Sequence, residues 1–382
     1  MTHVYLDHNA TTPLDERVLE AMLPYLKNQY GNASSRHELG TVARKAVDRA
    51  REQVAQLVNV QPTQVVFTSG GTEANNLFIR GGAGYLKPSQ IAVSAIEHPC
   101  VAKPAQELAR QGWKVRKLAV TRDGEIDLAD VAEALKEPTG LVSVMLANNE
   151  TGVVQDVAAV AALARNARAW MHTDAVQALG KIDIDFGALD VHAMTISAHK
   201  IYGPKGAGAL VVDKRIELRP LIAGGGHERG MRSGTENVPA IVGFGAAAEI
   251  ARERFVSLAE RFVGLKAKLE QGLHQAGAVI FGERAKHRIA NTTYFAFPHI
   301  DGETLVVELD KLGYAVAAGA ACSSASTEPS ATLIAMGVDP ELARGAVRLS
   351  LGAQNGLEEI DGFIRTVQAL AKRLRGLTAM TT

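Results

Sequence analysis

Short apolar segments alternate with longer stretches of helical periodicity between residues 65 and 212. Apolar runs of this length are typical of buried strands, and each intervening stretch is long enough for a helix that returns the chain to the next strand. The alternation predicts a mostly parallel sheet with helices on both faces, which is a large doubly wound α/β domain. Its seven predicted strands are 65–68, 91–94, 115–120, 141–146, 170–173, 191–196 and 209–212.

The pattern changes after residue 244, where a long helical stretch leads into a different order of elements. This order is typical of a smaller α+β domain. We expect the large domain over residues 15–250 and the small domain over 1–14 and 251–382. In the second half, the predicted strands are 279–281, 291–297, 314–318 and 347–351, and the predicted helices are 246–273, 302–312, 330–336 and 357–374.

Composition narrows the classes of partner. The 382 residues are 47% hydrophobic and 21% charged, and Lys plus Arg equals Asp plus Glu at 41 each, so the formal net charge is zero. A neutral chain lacks the basic surface that nucleic acids require, and no segment is apolar enough for a membrane span or a signal peptide. The only two cysteines, Cys100 and Cys322, cannot build a disulfide framework. We therefore expect a cytoplasmic protein that binds neither nucleic acid nor membrane.

Lys200 follows the sixth predicted strand, 191–196, which we expect to be a buried strand of the parallel sheet. In open α/β sheets, ligands bind outside the carboxyl ends of the strands, so the Lys200 amine is predicted to face a ligand crevice. A lysine at a strand end is more often a solvated surface residue. Lys200 alone therefore does not define a site.

The stretch Ser69-Gly70-Gly71-Thr72 follows the first predicted strand and opens a helix. Backbone N–H groups and a hydroxyl at a helix N-terminus can bind a phosphate. The stretch has neither the spacing of a P-loop nor the Gly-x-Gly-x-x-Gly pattern of dinucleotide sites. A plain strand-to-helix turn explains the two glycines about as well, so both interpretations stay open at this point.

Four further polar residues follow the ends of other predicted strands: His98, Asn149, Asp174 and Gln177. Each has an ordinary structural explanation when taken singly. Together with Lys200 and the glycine-rich turn, they supply a phosphate site, an amine, a carboxylate and an imidazole at one crevice. This set fits pyridoxal 5′-phosphate (PLP), whose aldehyde forms a Schiff base with a lysine and whose ring nitrogen stays protonated beside an acid.

The motifs that contain these residues resemble those of class I cysteine desulfurases of the NifS/IscS type. That family belongs to the class V aminotransferases and has the aspartate aminotransferase-like fold of fold type I PLP enzymes. The resemblance covers nearly the whole chain, and several motifs in one order are more specific than any single motif. The motifs are residues 7–13, 69–76, 97–98, 148–152, 174–177, 197–200, 224–237 and 347–352.

The resemblance implies a role for each matching position. Lys200 would form the Schiff base and move the proton on the substrate Cα, while His98 would stack on the ring and assist the transfer. Asp174 would pair with the ring nitrogen, and Gln177 would bond the ring hydroxyl. The implied phosphate ligands are Gly71, Thr72, Ser197 and His199, with Thr235 of the neighbouring subunit.

The same resemblance implies the substrate and the assembly. Arg348 and Asn149 would hold the carboxylate of L-cysteine, because the planar guanidinium binds a carboxylate with two hydrogen bonds; Asn149 is also among the implied cofactor ligands. Since Thr235 would complete the phosphate site of another subunit, we expect a homodimer.

Cys322 matches the nucleophile of the family and lies in a run of Gly, Ala and Ser residues. The resemblance implies that its thiolate attacks the substrate sulfur, leaving a persulfide on Cys322 and L-alanine as the product. The alternative for Cys322 is a small core residue. Cys100, beside His98, is the rival thiol, and we expect it to have a packing role.

The implied acceptor of the sulfur is a protein such as an iron-sulfur scaffold. The residues before Cys322 depart from the serines that relatives often carry, and the segment after the last helix is shorter than in housekeeping members. A specialised acceptor is therefore an equal alternative to the housekeeping scaffold.

Two other functions stay open. One is a selenocysteine lyase or another β-eliminating enzyme on the same fold, and the other is a sulfur-binding protein without turnover. No metal site is predicted, because His3, His8 and His37 lack the spacing of metal ligands.

Overall fold

The computed structural model describes residues 3–319 and 328–378. Its main sheet has seven strands, which confirms the predicted number. They are β2 (Val65–Thr68), β3 (Gln90–Ser94), β4 (Lys114–Leu118), β5 (Thr139–Ser143), β6 (Trp170–Asp174), β7 (Ala193–Ser197) and β8 (Gly208–Val212). They lie side by side in the order β2-β8-β7-β6-β5-β3-β4.

Helices cover both faces of this sheet, and further helices occur in the second half of the chain. Several begin at an acidic residue whose side chain accepts a backbone N–H of the first turn, as Asp15, Asp127 and Asp156 do. The helices are α1 (Glu16–Lys27), α2 (Glu38–Leu57), α3 (Gly71–Tyr85), α4 (Pro99–Leu108), α5 (Leu128–Ala134), α6 (Val157–Asn166), α7 (Phe186–Leu189), α8 (Val238–Gln275), α9 (Gly302–Lys311), α10 (Ala331–Ala335), α11 (Pro340–Arg344) and α12 (Leu357–Thr378).

Alternate residues of each strand enter opposite apolar layers. Val65 and Phe67 pack in one cluster with helices α1, α2 and α8, while Val66 and Leu210 pack in another with α3 and α4. Because both faces are buried at β2 and β8, these strands read as continuous apolar runs rather than as alternating ones, whereas the edge strand β4 keeps exposed lysines.

Strand β8 is antiparallel to both of its neighbours, β2 and β7. The expectation that 191–196 belongs to a parallel arrangement is therefore wrong on one side, since β7 is parallel only to β6. The connection from β7 to β8 spans residues 198–207, which is too short for the helical crossover that a parallel pair needs. The chain therefore turns back directly.

A second, antiparallel sheet is formed by β9 (Val279–Ile280), β10 (Thr292–Ala296), β12 (Ala317–Ala318) and β13 (Ala346–Ser350), in the order β12-β13-β10-β9. The single strand predicted over 314–318 is wrong: β11 (Tyr314–Ala315) pairs with β1 (Val4–Tyr5), whereas β12 pairs with β13. The chain divides here because the two short segments have different pairing partners.

Helix α8 connects the two parts of the fold. Phe244, near its start, packs against the large sheet, while Phe262 and Leu269 pack with Phe363 in the second core. The proposed domain boundary at residue 250 falls inside this 38-residue helix. Within the described ranges, no helix combines the length and apolarity needed to cross a membrane.

Candidate active site

A cavity of about 310 Å³ opens at the carboxyl edge of the seven-stranded sheet. This volume is within the range of small-molecule sites. Parallel strands end at the same edge, so residues far apart in sequence meet there. The predicted site residues that line the cavity are Gly71, Thr72, His98, Asn149, Asp174, Gln177, Ser197, His199 and Lys200.

Lys200 closes a short 3₁₀ turn that directly follows β7. Its Nζ donates a hydrogen bond to the backbone oxygen of Ala10 at 2.7 Å and another to that of Asn9. The amine is thus held between the sheet edge and the N-terminal segment. This position is the one predicted from the strand end.

Asp174 is the last residue of β6 and is only 6% exposed. Its Oδ1 accepts the N–H of Val176 at 3.0 Å, and its Oδ2 accepts the Asn75 amide at 2.7 Å. Sequence analysis assigned no role to Asn75. Asn75 lies one helical turn after Gly71 on α3, and this spacing was the available signal that it faces the same cavity.

His98 caps helix α4, where its Nδ1 accepts the backbone N–H of Cys100 at 3.2 Å. A neutral ring that accepts at Nδ1 carries its proton on Nε2. Burial lowers the pKa of His98, the Lys200 charge acts in the same direction, and Asp174 opposes both. The imidazole is therefore neutral near pH 7, with the Nε2–H as its donor and the Nδ1 lone pair as its acceptor.

The Cys100 thiol lies 2.8 Å from His98 Nδ1 and 2.9 Å from the Asn75 amide nitrogen. Burial raises the pKa of Cys100 to about 12, and the negative charge of Asp174 contributes in the same direction. A thiol with this pKa stays protonated and is a poor nucleophile at neutral pH. The geometry supports a packing role for Cys100.

Three residues of the expected phosphate site, Gly71, Thr72 and Ser197, lie at or near the start of α3, a 15-residue helix whose first residue is Gly71. A Cβ at Gly71 would approach Val176 Cγ2 to 3.0 Å, so a side chain would narrow the site. Ser197 Oγ is buried and has no hydrogen-bond partner within the described chain. Since a buried hydroxyl without a partner is unfavourable, this group fits an anionic ligand such as the PLP phosphate.

His199 lies beside this phosphate site and lines the same cavity. Burial lowers its pKa to about 4, with further lowering by the charges of Lys200 and Lys205. The ring is neutral at pH 7 and still carries one N–H donor.

Arg348 lies on β13 and is 7% exposed. Its guanidinium donates to Asp7 Oδ1 at 2.7 Å and to the backbone oxygen of Asn149 at 3.1 Å, while its buried Nε has no partner in the described structure. Arg348 is not among the described residues that line the cavity. It contacts the lining residue Asn149 through this hydrogen bond.

The two remaining predicted site residues are Thr235 and Cys322. Thr235 is exposed on the segment before α8 and is not among the described lining residues. Cys322 falls within 320–327, outside the described residues. In the described ranges, no group of three His, Cys, Asp or Glu side chains is arranged to hold a metal ion.

The model of the family described as Aminotransferase class-V matches residues 4–363. The chain belongs to the aminotransferase class-V family. Members of this family are PLP-dependent, so the predicted family, fold and cofactor are confirmed.

The relatives in the aminotransferase class-V family are similar over almost their whole length. The Cysteine desulfurase IscS of Anaeromyxobacter dehalogenans (strain 2CP-C) is 44% identical over 383 aligned positions, which cover 99% of this chain and 94% of the relative. The IscS of Escherichia coli O139:H28 (strain E24377A / ETEC) is also 44% identical, with 99% and 95% covered.

Solved structures of NifS-like proteins are similar to this chain over almost its whole length. One described as a NifS-like protein has a TM-score of 0.91 and 38% identity, covering 97% of this chain and 100% of its own. The NifS-like protein of Rickettsia africae ESF-5 has a TM-score of 0.88 and 32% identity, covering 97% and 99%.

Proposed function

We propose that this chain is a cysteine desulfurase, which takes sulfur from L-cysteine, releases L-alanine and leaves a persulfide on Cys322. The observation that carries the proposal is the meeting of Lys200, Asp174 and His98 in one cavity, in a chain 44% identical to enzymes named Cysteine desulfurase IscS. SspA, solved in complex with cysteine, is 32% identical with a TM-score of 0.81 over 91% of this chain and 98% of its own, which supports L-cysteine as the substrate.

PLP, when bound, supplies an electron sink that stabilises negative charge on the substrate Cα. Asp174 would keep the ring nitrogen protonated, and Gln177 would bond the ring oxygen. The phosphate would be held by Gly71, Thr72, Ser197 and His199, and by Thr235 of a second subunit. Two observations support this placement: the buried Ser197 hydroxyl has no partner in the described structure, and a side chain at Gly71 would come close to Val176 and narrow the site.

The chain's own groups would carry the proton transfers and orient the substrate. The Lys200 amine would take the proton from Cα, and the neutral His98 ring would assist at its Nε2. Arg348 and Asn149 would hold the substrate carboxylate. Their direct contact, at 3.1 Å from guanidinium to backbone oxygen, supports their acting as a pair.

The sulfur step would use the Cys322 thiolate. Its Sγ forms a bond to the substrate sulfur, and the bond between that sulfur and the substrate Cβ breaks. The electron pair of the broken bond stays with the carbon skeleton, which takes up a proton and leaves as L-alanine. Cys100 is unsuited to this role, because its pKa of about 12 keeps it a thiol.

The persulfide would then pass to an acceptor protein for iron-sulfur clusters or other sulfur-containing cofactors. We further propose a homodimer, since Thr235 is not among the described residues that line the cavity in its own chain. A cytoplasmic location agrees with a content of only two cysteines in 382 residues.

The test compares the wild type with Cys322→Ser, measuring alanine, sulfide, protein-bound persulfide and the visible spectrum of PLP. We expect the variant to keep the PLP spectrum and to form neither alanine nor persulfide. Full alanine production by Cys322→Ser would overturn the persulfide mechanism and favour direct elimination. A wild type that binds PLP but prefers selenocysteine over cysteine would favour the lyase.

A further inference from the structure

Lys181 lies beside the cavity, and the proposed reaction assigns no role to this lysine. It follows the turn after β6 and lines a second, smaller cavity, of which Lys200 also forms a wall. Lys200 lines both this cavity and the main one, whereas Lys181 is among the described lining residues of the smaller one. Burial lowers the pKa of Lys181 well below its usual range, and the charges of Lys200 and Arg348 act in the same direction.

Two amide oxygens accept hydrogen bonds from the Lys181 amine. Its Nζ lies 2.8 Å from Gln177 Oε1 and 3.0 Å from Asn9 Oδ1. An uncharged amine still has two N–H bonds, and an ammonium has three. Lys181 can thus satisfy both oxygens in either protonation state.

The contacts with Lys181 and with the Asn9 backbone oxygen together determine which way the Gln177 amide faces. A lysine N–H requires an acceptor, so the oxygen of the amide must be on the Lys181 side and the NH₂ group on the other. One N–H of that group donates to the Asn9 backbone oxygen at 2.9 Å. Gln177 also lines the main cavity, where its second N–H remains for a ligand.

Asn9 is held in the same way. Its side-chain nitrogen donates to Thr292 Oγ1 at 2.8 Å and to the Asn149 backbone oxygen at 3.2 Å, so its side-chain oxygen faces Lys181. The Asn9 backbone oxygen accepts both Gln177 and the Lys200 amine. Lys181 thereby contacts Gln177 directly and also contacts Asn9, whose backbone oxygen accepts hydrogen bonds from both Gln177 and Lys200.

We propose that Lys181 is a positioning residue, which holds the Gln177 amide with its NH₂ group toward the ring oxygen of the cofactor. The proposal rests on the proposed PLP site and deepens it. Replacing Lys181 by an apolar residue leaves the Gln177 oxygen without its donor, so the orientation of the amide then depends on its bond to the Asn9 backbone oxygen alone and is less fixed. The contact with the ring oxygen is then weakened, although Gln177 itself is unchanged.

The test is a double-mutant cycle read by PLP binding. Apoprotein of the full-length wild type, Lys181→Met, Gln177→Ala and the double variant is titrated with PLP, and the visible absorption band of the bound cofactor is recorded. We expect Lys181→Met to weaken PLP binding about tenfold, which is the usual net effect of one hydrogen bond. When Gln177 is already alanine, we expect the Lys181→Met substitution to weaken PLP binding by less than about threefold.

The spectrum separates positioning from general destabilisation. Lys181→Met and Gln177→Ala are expected to shift the visible band to the same wavelength, because both lose the same contact to the ring oxygen. The matched control is Lys266→Met, which removes another buried lysine, 8% exposed, whose Nζ donates to the Ile289 backbone oxygen at 3.0 Å. It should change neither PLP affinity nor the band.

The conservative variant Lys181→Arg keeps N–H donors and is expected to retain the wild-type band, with PLP affinity within about threefold. It also keeps the proposal testable if Lys181→Met does not fold. An unchanged PLP affinity in Lys181→Met, an equal loss in both backgrounds, or a shifted band in Lys181→Arg would overturn the proposal. None of these measurements uses cysteine, so a wild type that binds PLP without forming alanine would refute the desulfurase and leave this result standing.

Discussion

The carboxyl edge of the seven-stranded sheet and the four-stranded antiparallel sheet contribute to the site in different ways. The first supplies nearly all of the described polar lining of the cavity, including Asp174 and Lys200. The second supplies Arg348, which contacts the lining residue Asn149 and is paired with Asp7. Parallel strands end at one edge, whereas antiparallel strands end at both. Binding groups therefore accumulate at the carboxyl edge of the seven-stranded sheet. A binding group on the four-stranded sheet, such as Arg348, is brought to the site by packing between the two sheets.

The largest expected effect tests the first region. Lys200→Ala should lower the rate of alanine formation by about 10²–10⁴-fold, because it removes the proposed base as well as the covalent attachment of PLP. The rate is measured with L-cysteine and saturating PLP. Lys205→Ala, at an exposed lysine in the same connection, is the matched control and should be near wild type. Equal losses in the two variants would contradict the assignment.

The second prediction tests the other region. Arg348→Ala should lower kcat/KM for L-cysteine by about a hundredfold, mainly through KM, since two charge-assisted hydrogen bonds to the carboxylate are lost. Arg348→Lys should recover only part of the lost kcat/KM, because an ammonium cannot form the two paired hydrogen bonds of a guanidinium with a carboxylate.

The control for Arg348 is Arg288→Ala. Arg288 forms the other well-buried ion pair of this part of the fold, with Glu270 at 2.8 Å and side-chain exposures of 12% and 16%. Removing it should lower the free energy of unfolding without changing KM. If both variants raise KM alike, the effect of Arg348 is structural and the comparison between the two sheets fails.

The third prediction concerns the buried core of the large sheet. His172 lies between Ser143 and Thr195, and burial lowers its pKa to about 3. The unfolded chain, with a pKa near 6.5, binds a proton that the folded chain excludes, so stability falls as the pH drops below about 6.5. Between pH 7.5 and 5.0 this group should cost about 2 kcal/mol, or about thirtyfold in the unfolding equilibrium.

Denaturant unfolding at the two pH values measures this loss. His172→Gln should lose about 2 kcal/mol less than the wild type over the same interval. The exposed control His299→Gln, at a side chain that is 75% exposed, should lose as much as the wild type. An unchanged pH dependence in His172→Gln would show that the acid sensitivity of the fold arises elsewhere.

The smallest effect is expected at Cys100. Cys100→Ala should change the rate of alanine formation by less than about threefold, because the thiol is protonated and acts as a small packing group. Cys322→Ser is the comparison, with a near-complete loss. A loss in Cys100→Ala of the same size would mean that the lining of the large sheet, rather than the segment outside the described residues, provides the nucleophile.

The sequence alone determined the seven strands, the residues at their carboxyl ends and the family. Apolar runs identify buried strands wherever both faces are covered, and strand ends of a parallel sheet converge, so His98, Asp174 and Lys200 could be grouped without coordinates. The motifs added specificity that no single residue carried.

Only the tertiary structure decided the antiparallel pairing of β8, the separation of β11 from β12 and the second layer of contacts behind the cavity. Asn75, Asn9 and Lys181 act through hydrogen bonds to other side chains, and the residues they bond lie up to 283 positions away. Such contacts depend on how elements pack in three dimensions, which periodicity along the chain does not encode. The strand ends specified which groups meet at the cavity, and packing specified how those groups are held.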